Sequence, residues 1–333
     1  MFEAEKRFCK DENLSIKLFQ APYFCDRLKL FGYYDKYLEY VEMINKEFCG
    51  NEQDFLEYYN KTKDRIIDYI KSSEAFTALN SCDMEKFEKK FQFPDKDNYR
   101  ETYVGHKFIS IDMVKANFTA LVSFGKLYGF EFFDDYDYTK FVSKFTKNEH
   151  IINSKYIRQV VFGNCNPKRQ IAYESFLMES LLKLLFSLCM IKEEQVFALR
   201  SDEIVLLADD FTDDEIRAIQ VFLESHSKKA FPIHFEVYTL GRIVGSQAYI
   251  KKFDTKFVDK DFELKCLNPD EAPFIYRYLK NESITDNDMV FEYNGKLAKF
   301  LKAPEYTISY EQLVSMTHDA KASGIEIRSI HIE

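Results

Sequence analysis

The sequence predicts an α+β protein: a helical N-terminal domain, a middle domain built on a sheet flanked by helices, and a small α/β C-terminal module. Three observations carry this. Up to about residue 104, apolar side chains recur at three- and four-residue spacing, the period of amphipathic helices, as in KLFGYYDKYLEYVEMINKEF (29 to 48) and NEQDFLEYYNKTKDRIIDYI (51 to 70). Between about 105 and 255, short strand-like runs alternate with longer helical patterns. Beyond 256, strands near 261 to 267 and 289 to 293 alternate with helices near 269 to 281 and 309 to 322, and the chain closes on IEIRSIHI. The expected domains are therefore 1–104, 105–255 and 256–333.

Each element has a local reason. Asn51 is a helix cap, because its side chain can accept from the first free backbone N–H groups. FPDKDN (93 to 98) is a turn-rich break, after which HKFISID (106 to 112) reads as a strand. Helices follow at about 113 to 128 and 138 to 145. From Pro167 to Leu188 the stripe Ile171, Phe176, Leu177, Leu181, Leu184 and Leu185 predicts a long buried helix, with Pro167 tolerated in its first turn. VFALRSDEIVLLADD (196 to 210) reads as two buried strands around a tight polar centre, followed by a helix over 213 to 229 and strands near 233 to 240 and 246 to 253. Asp209 and Asp210 are expected to cap and charge the start of the 213 to 229 helix.

Bulk composition narrows the function classes. The 333 residues are 46% hydrophobic, enough for a sizeable core. No apolar run approaches the ~20 residues of a membrane span, and MFEAEKRFCK lacks the apolar centre of a signal peptide, so the expectation is a soluble cytoplasmic protein with no membrane partner. Seven scattered cysteines show no metal-ligand spacing and read as reduced thiols. A net charge of −9 argues against wrapping duplex nucleic acid, which needs a clear excess of Lys and Arg. Residues 154 to 170 nevertheless carry Lys155, Arg158, Lys168 and Arg169 and no acid.

Acids stand at the predicted strand ends. Asp112 closes the first strand, and Asp202 with Glu203 sits at the hairpin turn. Carboxylates fixed on neighbouring strands can hold two divalent ions, one activating a hydroxyl and one steadying a leaving pyrophosphate, and Mg²⁺ needs only a few carboxylates beside substrate phosphates. Asp112 also suits a helix cap, and Asp202 an exposed turn.

In their order and spacing these residues resemble the palm domain of right-hand polymerases, closest to reverse transcriptases and viral RNA-polymerase-like palms, over residues 106 to 210. DMVKANFTAL resembles motif A, with Asp112, the small Ala116, the sugar-sensing position Asn117 and the aromatic Phe118. GNCNP (163 to 167) running into the long helix resembles motif B, one residue short and with Asn166 in place of Ser. Ser201-Asp202-Glu203 resembles motif C. From Asp112 to Gly163 is 51 residues and from Gly163 to Asp202 is 39, which suits a compact palm. DEIVL is also similar to DNA polymerase I-type enzymes, but the chain leaves no room for their fingers insertion between motifs B and C. The run YIRQVVFGNCNPKRQ is similar to proteins of large DNA viruses and phages, which carries no function.

The resemblance implies a polymerase-type palm, an antiparallel sheet flanked by helices, and a metal-dependent nucleotidyltransferase adding nucleotides to a 3′-hydroxyl with release of pyrophosphate. Asp112, Asp202 and Glu203 would be catalytic and hold two Mg²⁺ or Mn²⁺ ions. Asn117, whose short polar side chain leaves room for a ribose, Phe118, Lys155, Arg158, Gly163, Asn166, Lys168 and Arg169 would bind substrate, with Lys168 and Arg169 on triphosphate or strand. Lys115 suits either a phosphate contact or a solvated surface, and Gln170 either a base edge or surface. The expected partners are nucleoside triphosphates, single-stranded or primer-type nucleic acid, and a protein partner in a larger assembly. The acidic total charge, the lack of a basic fingers region and the strand-rich tail favour short, template-independent or protein-assisted synthesis. They also support an alternative of another class: a catalytically inactive palm scaffold that binds nucleic acid or protein in a replication or transcription assembly.

Overall fold

The computed structural model describes residues 3–19, 23–87 and 92–311. The N-terminal part is helical: α1 (Glu3–Asp11), α2 (Phe24–Phe31), α3 (Tyr34–Phe48), α4 (Glu52–Ser72) and α5 (Glu74–Ser81). The single helix expected over 29 to 48 is two. Gly32 adopts φ 77°, the left-handed conformation that ends α2, and its N–H returns to the carbonyls of Leu28 and Lys29. Asn51 caps α4 as expected, its side chain accepting from Gln53 N and Asp54 N.

The rest of the chain builds an antiparallel sheet and the helices around it. In order come β1 (Lys107–Met113), α6 (Ala116–Tyr128), α7 (Tyr138–Val142), α8 (Glu149–Asn153), α9 (Lys155–Gly163), α10 (Pro167–Ser187), β2 (Val196–Leu199), β3 (Glu203–Leu207), α11 (Asp213–Lys229), β4 (Ile233–Val244), β5 (Tyr249–Phe253), β6 (Phe262–Lys265), α12 (Ala272–Leu279), β7 (Val290–Tyr293), β8 (Lys296–Lys299) and β9 (Thr307–Ser309). The strand order is β2-β3-β1-β4-β5-β6, with β9 on the far end of β4 and β7-β8 as a separate hairpin. Every pairing is antiparallel. The first four strands thus follow a split β-α-β order in which β1 and β3 are central.

Side-chain alternation assigns the faces. Ile109, Ile111 and Met113 of β1 join Ile204 and Leu206 of β3 in a core with Leu181, Leu182 and Leu185 of α10 and Ile216, Ile219 and Leu223 of α11. The other face carries Phe108, Val205 and Tyr238 with Phe197 and Phe253. A third cluster joins α1 to α5 with α6 to α10 through Phe8, Phe55, Ile66, Phe118, Phe141, Phe162 and Tyr173. One hydrophobic core therefore runs across the domain boundary expected near residue 104. At the other expected boundary, β6 and β9 of the C-terminal part complete the sheet. That part also reaches back to α2: Arg27 pairs with Asp288 at 2.9 Å, Asp288 also holds Arg277 at 3.1 Å, and Lys280 donates to the Leu30 carbonyl at 2.6 Å.

Several expectations shift. On α10 the buried face carries Gln170, Tyr173, Glu174, Met178, Leu181, Leu182 and Leu185, while Ile171 and Leu184 are exposed. Four buried polar residues, Gln170, Glu174, Ser175 and Glu179, displace the apolar stripe seen in the sequence. Asp209 accepts from Lys107 N at 2.7 Å and pairs with His106, and α11 is capped instead by Thr212 in a capping box with Glu215. The helix expected over 309 to 322 and the closing IEIRSIHI lie outside the described residues from 312 onward, and Thr307–Ser309 is strand. All seven cysteines are free thiols. Among the described residues no helix is long and apolar enough to cross a membrane.

Phe118, expected at the substrate, is a core residue with no exposed surface, packed against the rings of Tyr138, Phe141, Phe132 and Phe162. Phe118→Ala should cost about 3–5 kcal/mol in urea unfolding, the cost of a cavity at a large aromatic. A loss below about 1 kcal/mol would contradict this packing.

Candidate active site

Strand pairing brings three acids, separated by ninety residues in the chain, to one end of the sheet. Asp112 is the penultimate residue of β1, directly opposite Glu203 on β3 and His234 on β4. The Met113 N–H donates to the Asp202 carbonyl at 2.8 Å and the Val114 N–H to the Pro232 carbonyl at 3.1 Å, which ties the hairpin turn and the start of β4 to the end of β1. Directly opposed residues point to the same face. Asp112, Glu203 and His234 therefore share the face of Phe108 and Tyr238, away from α10 and α11.

Glu203 is held on both carboxylate oxygens. Ser110 Oγ donates to Oε1 at 2.6 Å, and the Arg200 guanidinium donates to Oε2. Arg200 also reaches Asn98 Oδ1 at 3.1 Å and the Lys96 carbonyl at 3.3 Å, so it fastens the 94 to 98 turn over this edge. Asp202 has a lighter partner, the hydroxyl of its neighbour Ser201 at 3.1 Å. Beyond His234, Glu236 accepts from His234 Nε2 and Lys251 Nζ, each at 3.1 Å. Burial alone would raise Glu236, but those two partners win and hold it near 2.

A fourth acid acts on Asp202 from the helix side of the sheet. Glu174, on the buried face of α10, is 2% exposed and accepts from Asn117 Nδ2 at 2.8 Å. Its pKa is pushed up to about 7 by burial and then by the charge of Asp202, against the Asn117 hydrogen bond. Asp112 is likewise pushed up to about 7, first by burial and then by Asp202 and Glu203, with His234 acting the other way. The acids therefore outweigh the positive charge that reaches them. Sequence reasoning missed Glu174, Ser110, Arg200 and His234. Their signal was present only as register: Ser110 and Arg200 lie two and three residues from assigned acids, whereas Glu174 was masked by the rule that helix acids face water.

The remaining expected substrate residues are dispersed. Asn117 and Lys115 sit at the start of α6, just after Asp112. Arg158 and Lys115 are half-buried and both lie against the Tyr138 ring. Lys155 and Lys168 are exposed. Arg169 is engaged by the carbonyls of Leu79 at 2.9 Å and Cys82 at 2.8 Å, and Asn166 by Asn80, so both fasten α10 to α5 rather than face the acids. Gly163 ends α9 in open space, where a side chain would meet nothing within 4 Å, so no close approach requires glycine there. Gln170 is fully buried and donates to the Cys165 carbonyl at 2.6 Å.

Among the described residues no group of three or more His, Cys, Asp or Glu side chains is already gathered to hold a metal ion. The donor chemistry nevertheless fits a hard divalent cation: Asp112 and the neighbouring Asp202 offer carboxylate oxygens at one end of the sheet, while Glu203 is the most committed to protein partners. No family model matches the chain, no curated protein matches its sequence, and no solved structure matches its fold.

The charge balance predicts a pH effect. A carboxyl raised from 3.8 to about 7 binds its proton more tightly in the folded state. Its contribution to stability is therefore intact below about pH 4 and is lost as pH rises toward 7. In EDTA, Asp112→Asn should match wild type at pH 4 and exceed it at pH 8 by about 1–2 kcal/mol once solvent screening is allowed for, read from urea unfolding at each pH. Equal stabilities at pH 8 would contradict the crowding of acids at Asp112.

Proposed function

We propose that the protein is a metal-dependent nucleotidyltransferase built on a palm-like sheet, joining a nucleotide to a 3′-hydroxyl and releasing pyrophosphate. The observation that carries this reading is the register of β1: Asp112 stands opposite Glu203 and next to the Asp202 turn, so the residues resembling motifs A and C share one sheet edge. The antiparallel sheet with α10 and α11 on one face agrees with the palm architecture that the resemblance implies.

Asp112 and Asp202 would hold the divalent ions, with Glu174 acting on Asp202 from α10 and Glu203 framing the edge through Ser110 and Arg200. Bound there, Mg²⁺ or Mn²⁺ would supply Lewis-acid stabilisation of phosphoryl charge. In the transfer itself the 3′-oxygen forms a bond to the α-phosphorus, the bond to pyrophosphate breaks, and the hydroxyl proton passes to solvent. Protein groups position and neutralise, as oxygen-rich sites do without a dedicated base. Asn117 spends its amide N–H on Glu174, which leaves its carbonyl oxygen free to accept from a sugar hydroxyl. That orientation favours ribonucleotides. Nucleoside triphosphates and single-stranded or primer-type nucleic acid are the partners this reading requires.

One observation favours the second reading, a palm kept as a scaffold for nucleic acid or protein partners: both oxygens of Glu203 are already occupied. Incorporation of labelled ribo- and deoxynucleotides, with Mg²⁺ or Mn²⁺ and with or without primer and template, separates the two. Wild type should incorporate label, Asp202→Asn should lose at least ~10²-fold, the scale of one preorganised charged group, and Asn117→Ala should narrow the ribo-over-deoxy preference. Wild type that incorporates nothing under any of these conditions, with no metal bound, would overturn the transferase reading in favour of the scaffold.

A further inference from the structure

Beyond the end of β1 stand two half-buried cations, Lys115 and the α9 side chain Arg158, without an anion of their own. Lys115 lies between β1 and α6 in the left-handed conformation, φ 51°. Its Nζ is 5.3 Å from the centroid of the Tyr138 ring, and the guanidinium carbon of Arg158, on α9, is 5.9 Å from the same centroid. Neither side chain makes a salt bridge or hydrogen bond among the described residues. The carboxylate that acts on Lys115 is Asp137, whose Oδ1 is committed to the Thr139 and Lys140 N–H groups at the start of α7. The Tyr138 hydroxyl, buried with the ring, also has no hydrogen-bond partner among the described residues.

This arrangement costs free energy in the isolated protein. Both cations are lowered from their ordinary values by burial, and Lys115 further by Arg158. Lys155 and Lys168, by contrast, extend into water as surface lysines do. The aromatic face offsets part of the cost, but the mutual repulsion remains until an anion arrives. The acids do not supply it, because the charges acting on Asp112 come from Asp202, Glu203, His234 and Glu236. A guanidinium fork beside a point-charge ammonium suits an anion with several charged oxygens rather than a single carboxylate. Lys115 follows Asp112 by three residues, so the chain limits their separation to about 10–11 Å.

We propose that Lys115 and Arg158, against the ring of Tyr138, form a seat for a polyphosphate anion beside the carboxylate cluster. The seat itself needs no metal. It rests on the transferase reading only for its source, a nucleoside triphosphate as against free polyphosphate.

Titration calorimetry of the full chain in EDTA, with inorganic triphosphate and separately with ATP, tests the seat without testing transfer. Wild type should bind inorganic triphosphate. Lys115→Gln and Arg158→Gln should each weaken binding at least ~tenfold, the scale of a lost charge-assisted contact. Arg158→Lys should recover part of the loss, and Lys61→Gln, at an exposed lysine of α4, should change nothing. Tighter binding of ATP assigns the seat to a nucleotide and equal binding assigns it to free polyphosphate; the seat stands in both cases. No binding by wild type, wild-type binding by the double variant, or an equal loss in Lys61→Gln would overturn it. Asp202→Asn should abolish incorporation yet keep triphosphate binding in EDTA, so the seat and the transfer reaction fail separately.

Discussion

Strand β1 is hydrogen-bonded along both edges, to β3 over Phe108–Asp112 and to β4 over Lys107–Met113, and this double pairing fixes Asp112 against Glu203 and His234. A slip of one residue in either ladder would turn Asp112 toward the α10 and α11 core, where an unpaired carboxylate is costly. Ile109, Ile111 and Met113 prevent the slip, because they must stay on the helix side. The hydrophobic pattern of one strand thus aims the carboxylate four residues before α6. The Met113–Asp202 backbone bond then sets the hairpin turn against that end.

Charge is segregated around this edge. Toward β4 and β5, Glu236 is balanced by His234 and Lys251 and is held near 2. At the centre, Asp112 and Glu174 are under-compensated and pushed to about 7. Toward α6 and α9, Lys115 and Arg158 are uncompensated in the opposite sense. Compensation by folding alone would have interleaved these groups. Such a concentration of perturbed groups is what marks this end of the sheet as the candidate site.

The fold was legible where period and caps agree. β1, the 196 to 207 hairpin, α4 with its Asn51 cap, and α11 follow from apolar spacing and local hydrogen bonding. Helix α10 was legible in extent but not in face, since Gln170 and Glu174 occupy buried positions that a hydrophobic stripe passes over. The break at Gly32 was hidden because apolar spacing continues through it. Asp112, Asp202 and Glu203 could be picked from strand ends, whereas the Asn117–Glu174 and Arg200–Glu203 contacts join residues whose proximity is decided by tertiary packing and turn geometry. The basic run 154 to 170 was visible as composition. Only the packing of α9 against α1 and α4, and of the start of α10 against α5, separates Arg158, poised against Tyr138, from Arg169, spent on backbone carbonyls.

The central claim is that the Asp112–Asp202 edge is a divalent-cation site. Its most direct test is the melting temperature at pH 8 with and without Mg²⁺ or Mn²⁺, for wild type, Asp112→Asn and Asp202→Asn. A ligand that binds only the native state raises stability by mass action. The account predicts an increase in wild type that is largely absent in both variants. An unchanged wild type, or an increase of equal size in all three proteins, would contradict it.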